Sequence, residues 1–123
     1  PNSFMTTISI PEPDWAVMQG VSLDIAYSIN DIPIRLTRER WFHITENHDD
    51  LAGYYDDVLH AIEEPDMVLQ GYGGAQIAMK GMGKKRYLGV IYKEFISQKD
   101  GFVISAFFTS KIDRRKVLWP KRH

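Results

Sequence analysis

The chain of 123 residues is long enough for one domain with a buried core, and its 44% hydrophobic and 25% charged residues are typical of a globular protein. It contains no cysteine, which excludes disulfides, thiolate zinc sites and cysteine nucleophiles. No apolar run reaches the ~18 residues of a membrane span, and residues 1–10 lack the charged and apolar regions of a signal peptide. We therefore expect a cytoplasmic protein.

The net charge of −1 hides an asymmetry along the chain. Residues 1–79 carry three cations and thirteen acids, a net charge of −10, whereas residues 80–123 carry twelve cations and three acids, a net charge of +9. Such asymmetry indicates a polyanionic partner. The alternative is that the two parts neutralise each other in the folded protein.

The N-terminal part predicts a short β extension over residues 1–32. Two strands are predicted there, at 15–18 and 21–29. In the second, apolar and polar residues alternate as in a half-buried strand, and Asn30 and Pro33 end it.

The pattern then changes to that of two helices. Thr37 is a favourable N-cap, and the first helix is predicted over residues 38–47. The second is predicted to start just after residues 49–50 and to run to Glu63, because Pro65 prevents its continuation.

The remainder predicts an antiparallel sheet. Four strands are predicted over residues 67–72, 75–80, 86–95 and 102–109, and a short edge segment over 114–119. We therefore predict one α+β domain whose core, residues 33–119, packs two helices on one face of about four antiparallel strands.

Metal and cofactor sites are not predicted. His43 and His48 are five residues apart, about 140° around a helix, and would not point at one ion. Asp49 and Asp50 are ordinary residues at a helix N-terminus. The glycines near residues 71–83 lie between strands and read as hairpin glycines, without the GK[ST] of a phosphate-binding loop.

Metal-free cleavage of RNA fits the residue types better. It needs a base for the 2′-OH, an acid for the leaving oxygen, and cations that stabilise charge on the phosphoryl oxygens. Histidine suits the proton transfers and arginine the phosphate contacts. The predicted catalytic residues are His43, Arg40, Lys80, Arg86 and Ser105. The predicted substrate-binding residues are Lys85, Thr109, Lys111, Arg114, Arg115 and Lys116.

Each of these residues also has a purely structural interpretation. His43 could be a partly buried helix histidine with one hydrogen bond, and His48 a packing or capping residue. Lys84 and Lys85 could belong to a solvated turn. Ser105 could be a satisfied core hydroxyl.

Several runs resemble the phage-associated branch of the barnase–EndoU–colicin–RelE-like nucleases over roughly residues 33–119. They are IRLTRERWFHI at 34–44, His48, EPD at 64–66, KRYLGV at 85–90 and GFVISAF at 101–107. The resemblance implies a two-helix, four-stranded antiparallel domain and metal-independent ribonuclease activity, often as the toxin of a toxin–antitoxin pair. It nominates His43, a cation from Lys85 and Arg86, and the hydroxyl of Ser105. Lys80 and Lys111 come from spacing alone.

Three hypotheses follow. The first is a metal-independent endoribonuclease that leaves a 2′,3′-cyclic phosphate, with an acidic antitoxin protein as partner. The second is a non-catalytic module that binds RNA or protein on the same fold. The third is a small homodimeric interaction protein.

Overall fold

A computed structural model describes residues 23–121 and has an α+β fold. It contains two α-helices, seven strands and four short 3-10 turns. The helices are α1 (Arg38–Asn47) and α2 (Tyr55–Glu63). The strands are β1 (Leu23–Tyr27), β2 (Pro33–Thr37), β3 (Met67–Gln70), β4 (Gln76–Gly81), β5 (Tyr87–Phe95), β6 (Asp100–Thr109) and β7 (Val117–Trp119). Neither helix is long and apolar enough to cross a membrane.

All seven strands form one mixed sheet in the order β1-β2-β6-β5-β4-β3-β7. Its neighbours are antiparallel except β2 and β6, which are parallel. The α+β class with two helices is confirmed, but the sheet is larger than the predicted four strands and not wholly antiparallel. The four predicted strands correspond to β3–β6 and the predicted edge segment to β7. The predicted strand at 15–18 lies outside the described residues.

Strand β2 was not predicted, because Pro33 was interpreted as a chain break. Proline is tolerated at the first position of a strand, since no ladder hydrogen bond is needed from it there. The next residues alternate as a half-buried strand does, with Ile34 and Leu36 fully buried and Arg35 and Thr37 partly exposed.

The helices begin and end where local chemistry requires. The hydroxyl of Thr37 accepts a hydrogen bond from the Arg40 amide at 3.0 Å and caps α1, whose predicted bounds are confirmed. The second helix begins later than predicted. A 3-10 turn at Asp49–Leu51 is followed by Gly53 at φ +89°, a left-handed conformation that interrupts the helix until Tyr55.

The core lies between the helices and one face of the sheet. Leu88, Val90 and Tyr92 alternate along β5 and pack with Ile44 of α1 and Ile62 of α2. This burial of apolar surface is the main force that holds the layers together.

The sheet curves around the C-terminal end of α2. The Glu63 carboxylate accepts from the Tyr27 amide of β1 at 3.0 Å, and the next carbonyl, that of Glu64, accepts from Lys80 Nζ of β4 at 2.7 Å. Strands β1 and β4 are separated by three strands in the sheet, so both reach α2 only because the sheet is strongly coiled.

Candidate nucleic-acid interface

The turn between β4 and β5 presents three consecutive cations, Lys84, Lys85 and Arg86, all exposed. Gly83, Lys84 and Lys85 have φ values of +86°, +55° and +61°. The loop is closed by hydrogen bonds from Met82 N to Arg86 O at 2.8 Å and from Arg86 N to Gly83 O at 3.0 Å. A left-handed lysine costs about 1 kcal/mol compared with an ordinary conformation. The turn therefore keeps two lysines where glycine would fit without strain.

Arg86 is positioned by an aromatic ring. Its guanidinium lies over the ring of Phe108 at 3.9 Å from the centroid, and Phe108 meets Tyr54 edge to face at 5.0 Å. Stacking occupies the face of the guanidinium and leaves its N–H groups in the plane available. Arg86 is thus held in an orientation that suits bidentate contact with a phosphate.

The end of β6 brings a fourth cation to the same end of the sheet. Tyr87 pairs with Thr109, so the start of β5 lies beside the end of β6. The Thr109 hydroxyl accepts from the Lys111 amide at 3.1 Å and shapes the exit of the chain. We call Lys84, Lys85, Arg86 and Lys111 the cationic end. Among residues 23–121, none of the four has a carboxylate partner.

His43 lies on the solvent side of α1, with 57% of its side chain exposed. Its Nδ1 is 3.5 Å from a carboxylate oxygen of Glu46, one turn along the helix, and Arg40 precedes it by three residues. His48 is half-buried and ends the helix, its amide donating to the Ile44 carbonyl at 2.9 Å.

Ser105 lies on the other side of the sheet from His43. Val90 pairs with Ala106 in the core beneath the helices, whereas Ser105 pairs with Ile91. Successive side chains of a strand point to opposite faces, so Ser105 faces away from α1. Thr109 shares the face of Ser105. The hydroxyl of Ser105 and the imidazole of His43 therefore do not converge on one phosphate.

Lys80 is engaged by the protein itself. Its ammonium donates to the Glu64 carbonyl at 2.7 Å and lies 3.8 Å from the Asp66 carboxylate, whose other oxygen accepts from the Gly81 amide at 2.6 Å. These contacts join the end of α2 to β4. Lys80, which was predicted from spacing to be a catalytic residue, therefore has a structural role in the fold.

A second basic turn, Arg114–Lys116, precedes β7. Arg115 makes two hydrogen bonds of 3.0 Å to Asp113, which hold the pKa of that carboxyl below its usual range, so its charge is locally matched. Arg114 lines a cavity of about 310 Å³ beside Asp66 and Met67, at the start of β3. Lys116 lines a cavity of about 320 Å³ at the other end of β3.

Candidate metal ligands do not cluster in the described part of the chain: no three histidine, aspartate or glutamate side chains come together there. Three members of the cationic end, Lys85, Arg86 and Lys111, are predicted site residues, whereas Lys84 was interpreted only as part of a solvated turn, and the stacking of Arg86 on Phe108 was not predicted. The alternation of β6, which places Phe108 on the helix side, was the signal that could have indicated it.

Comparison with known proteins identified no relative. No protein-family model matches the chain. No curated protein and no solved structure matches it. Membership of the nuclease family suggested by residues 33–119 therefore stays a hypothesis, and function has to be argued from the geometry of the site.

Proposed function

We propose that this protein is an RNA-binding module that contacts the phosphate backbone with its cationic end. The observation that carries the proposal is the β4–β5 turn, where Lys84 and Lys85 occupy left-handed positions without carboxylate partners, next to a stacked Arg86. Lys99 is also left-handed, so what distinguishes the β4–β5 turn is that two such lysines lie there next to an arginine stacked on an aromatic ring.

RNA is the anion that this surface suits best. Several unmatched cations at one end of a sheet attract a polymer of phosphates more than a single small anion, because each neutralised phosphate releases a counterion. Arg86 offers in-plane donors to one phosphate, and the lysines act as mobile point charges. The resemblance of residues 33–119 to RNA-cleaving proteins supports the same partner. An acidic antitoxin protein would compete with RNA for this end.

Salt-dependent RNA binding tests the proposal. We expect affinity to fall steeply between ~50 and ~200 mM salt, and the joint change Lys84→Ala with Lys85→Ala to lower the slope of log affinity against log salt by roughly 1.4–1.8. Lys99→Ala is the matched control, because Lys99 is also exposed and left-handed at φ +50°, but lies in the β5–β6 turn at the opposite end of these strands. An equal loss in the control would show that the cationic end is not the site.

Cleavage of RNA is the second candidate, and it is favoured by the carboxylate of Glu46 beside the exposed His43. In that reaction His43 takes the proton of a 2′-OH and the oxygen attacks phosphorus. The bond to the 5′-oxygen breaks as that oxygen takes a proton from water, giving a 2′,3′-cyclic phosphate. Incubation of RNA in EDTA with the protein and with His43→Ala tests it. If the protein produces cyclic phosphate ends and His43→Ala does not, cleavage by His43 is supported. If the RNA stays intact but is bound, and salt releases it, the protein binds RNA without cleaving it.

A further inference from the structure

Among the large hydrophobic side chains that the structure describes, that of Tyr72 is the most exposed, with 99% of its surface accessible to water. It lies at the tip of the β3–β4 hairpin, in a 3-10 turn of the sequence Tyr-Gly-Gly. An aromatic ring in this position contributes nothing to the core, and it offers both faces to a ligand.

The hairpin tip is held rigidly. The Gly71 amide donates to the Ala75 carbonyl at 2.8 Å, and the Ala75 amide donates to the Tyr72 carbonyl at 3.2 Å. Lys93 of β5 reaches under the tip, and its ammonium donates to the Gly73 carbonyl at 3.0 Å. The ring of Tyr72 is therefore carried by a hydrogen-bonded backbone, which lowers the backbone entropy lost when a ligand binds to it.

Cations and a cavity lie next to the ring. The cavity of about 320 Å³ separates the hairpin from the turn that precedes β7, and its size is within the range of small-ligand sites. It is lined by Gln70, Gly71, Tyr72, Gly73 and Lys116. Lys116 is exposed and forms no salt bridge among residues 23–121, and the nearby Asp113 carboxylate, which it attracts, is hydrogen-bonded to Arg115. An aromatic platform beside a lysine is the arrangement that binds a base and its phosphate.

We propose that the tip of the β3–β4 hairpin binds one nucleotide of single-stranded RNA, with the base stacked on Tyr72 and a flanking phosphate at Lys116. The inference rests on the proposed RNA binding and specifies that the RNA is single-stranded, because the base faces of a duplex are stacked on each other. The tip and the cationic end lie beyond opposite ends of the six-residue strand β4, which is itself roughly 17 Å long at ~3.4 Å per residue, so the two are farther apart than this.

Binding of a single-stranded oligonucleotide of about 12 nucleotides, and of the matching duplex, tests the inference. We expect Tyr72→Ala to weaken single-strand binding by roughly 5- to 100-fold with an unchanged salt slope, and Tyr72→Phe to retain it, because stacking needs the ring and not the hydroxyl. Lys116→Ala should lower the salt slope by about 0.7. Phe42→Ala is the control, since Phe42 is an exposed aromatic on α1.

Fluorescence gives a second measurement of the same contact. Tyr72→Trp should keep single-strand affinity, and its added emission should be quenched by the oligonucleotide, whereas that of Phe42→Trp should not. If Tyr72→Ala binds single strands as the unchanged protein does while Lys84→Ala with Lys85→Ala loses affinity, the hairpin contact is overturned and the RNA-binding proposal stands. If the unchanged protein binds no RNA at low salt, both are overturned.

Discussion

At the scale of single residues, the positive φ angles of Lys84 and Lys85 are the feature that bears most directly on the proposed function. Both are non-glycine residues at positive φ, in a turn where Gly83 already adopts the same conformation. The Cβ of an L-residue crowds the carbonyl oxygen in this region, and glycine has no Cβ. The side chains at these positions therefore oppose stability, and under the proposed function their charges contribute to binding.

Replacing Lys84 by glycine should separate these two effects. We expect Lys84→Gly to raise the free energy of unfolding by about 0.5–1 kcal/mol, since relief of the strain exceeds the extra entropy of glycine in the unfolded chain. Affinity for RNA should fall. Urea denaturation measures the first effect and RNA titration the second.

Lys99→Gly is the control for that experiment, because it relieves a similar strain in the other turn. It should stabilise the protein by a similar amount and leave RNA affinity unchanged. A destabilised Lys84→Gly variant would mean that the turn does not carry the strain we assign to it.

At the scale of helices and strands, the hydroxyl groups of two tyrosines, one on α2 and one on β5, have opposite effects on stability. Tyr55 of α2 donates its hydroxyl to the Asp24 carboxylate of β1 at 2.6 Å, and its ring meets Trp41 of α1 edge to face at 5.4 Å. It therefore ties both helices to the edge of the sheet. Tyr92 of β5 is fully buried, and its hydroxyl has no hydrogen-bond partner in the described part of the chain.

Removal of each hydroxyl should change stability with opposite sign. Tyr55→Phe loses a hydrogen bond to a charged group near the surface and should lower the free energy of unfolding by about 1 kcal/mol. Tyr92→Phe removes a buried, unsatisfied group and should raise it by about 1 kcal/mol. Parallel urea denaturations of the two variants measure this. A destabilised Tyr92→Phe would reveal that its hydroxyl has a partner, such as an ordered water.

Alkaline pH should weaken the fold through the same two tyrosines. Burial raises the pKa of both Tyr55 and Tyr92, and the nearby Asp24 and Glu94 carboxylates raise these pKa values further. The folded state therefore favours the neutral phenols. Their contribution to stability is complete below the ordinary pKa near 10 and is lost progressively above it. The double change to phenylalanine should flatten the fall in melting temperature above pH ~10.

At the scale of the whole molecule, acids and unmatched cations lie on different elements. The first turn of α2 carries the acids Asp56 and Asp57, while the unmatched cations lie at the start of β5 and the end of β6. Of the four salt bridges within residues 23–121, one, between Lys80 and Asp66, joins a cation of the basic part of the chain to an acid of the acidic part. The two parts therefore neutralise each other through salt bridges only to a small extent in this region. The cations without carboxylate partners give this end of the sheet a positive surface, which under the proposed function binds a polyanion.

Binding of RNA to this surface should stabilise the folded protein as a whole. A ligand that binds only the native state, at 100 times its dissociation constant, adds about 2.7 kcal/mol to the free energy of unfolding. We expect the melting temperature to rise with RNA at low salt and to return to the unliganded value at high salt. A rise that persists at high salt would contradict binding through phosphates.

The sequence by itself predicted the parts of the fold that depend on neighbours along the chain. Helix α1 was predicted with its observed bounds because Thr37 and the helical period are local signals. Strands β3–β6 followed from apolar runs between turn residues. The cations of the candidate interface could also be identified from the sequence, because the charge of a side chain does not depend on the fold.

The tertiary structure alone decided which of these residues meet. Strand β2 joins the sheet beside β6, where Arg35 pairs with Phe102, 67 residues further along the chain. The register of β5 with β6 turns Ser105 away from His43 and brings Phe108 near Arg86, and the packing of α2 against β4 brings Lys80 to Glu64. Pairing between distant strands is set by the packing of the entire core, and a shift of one residue would exchange the two faces of the sheet.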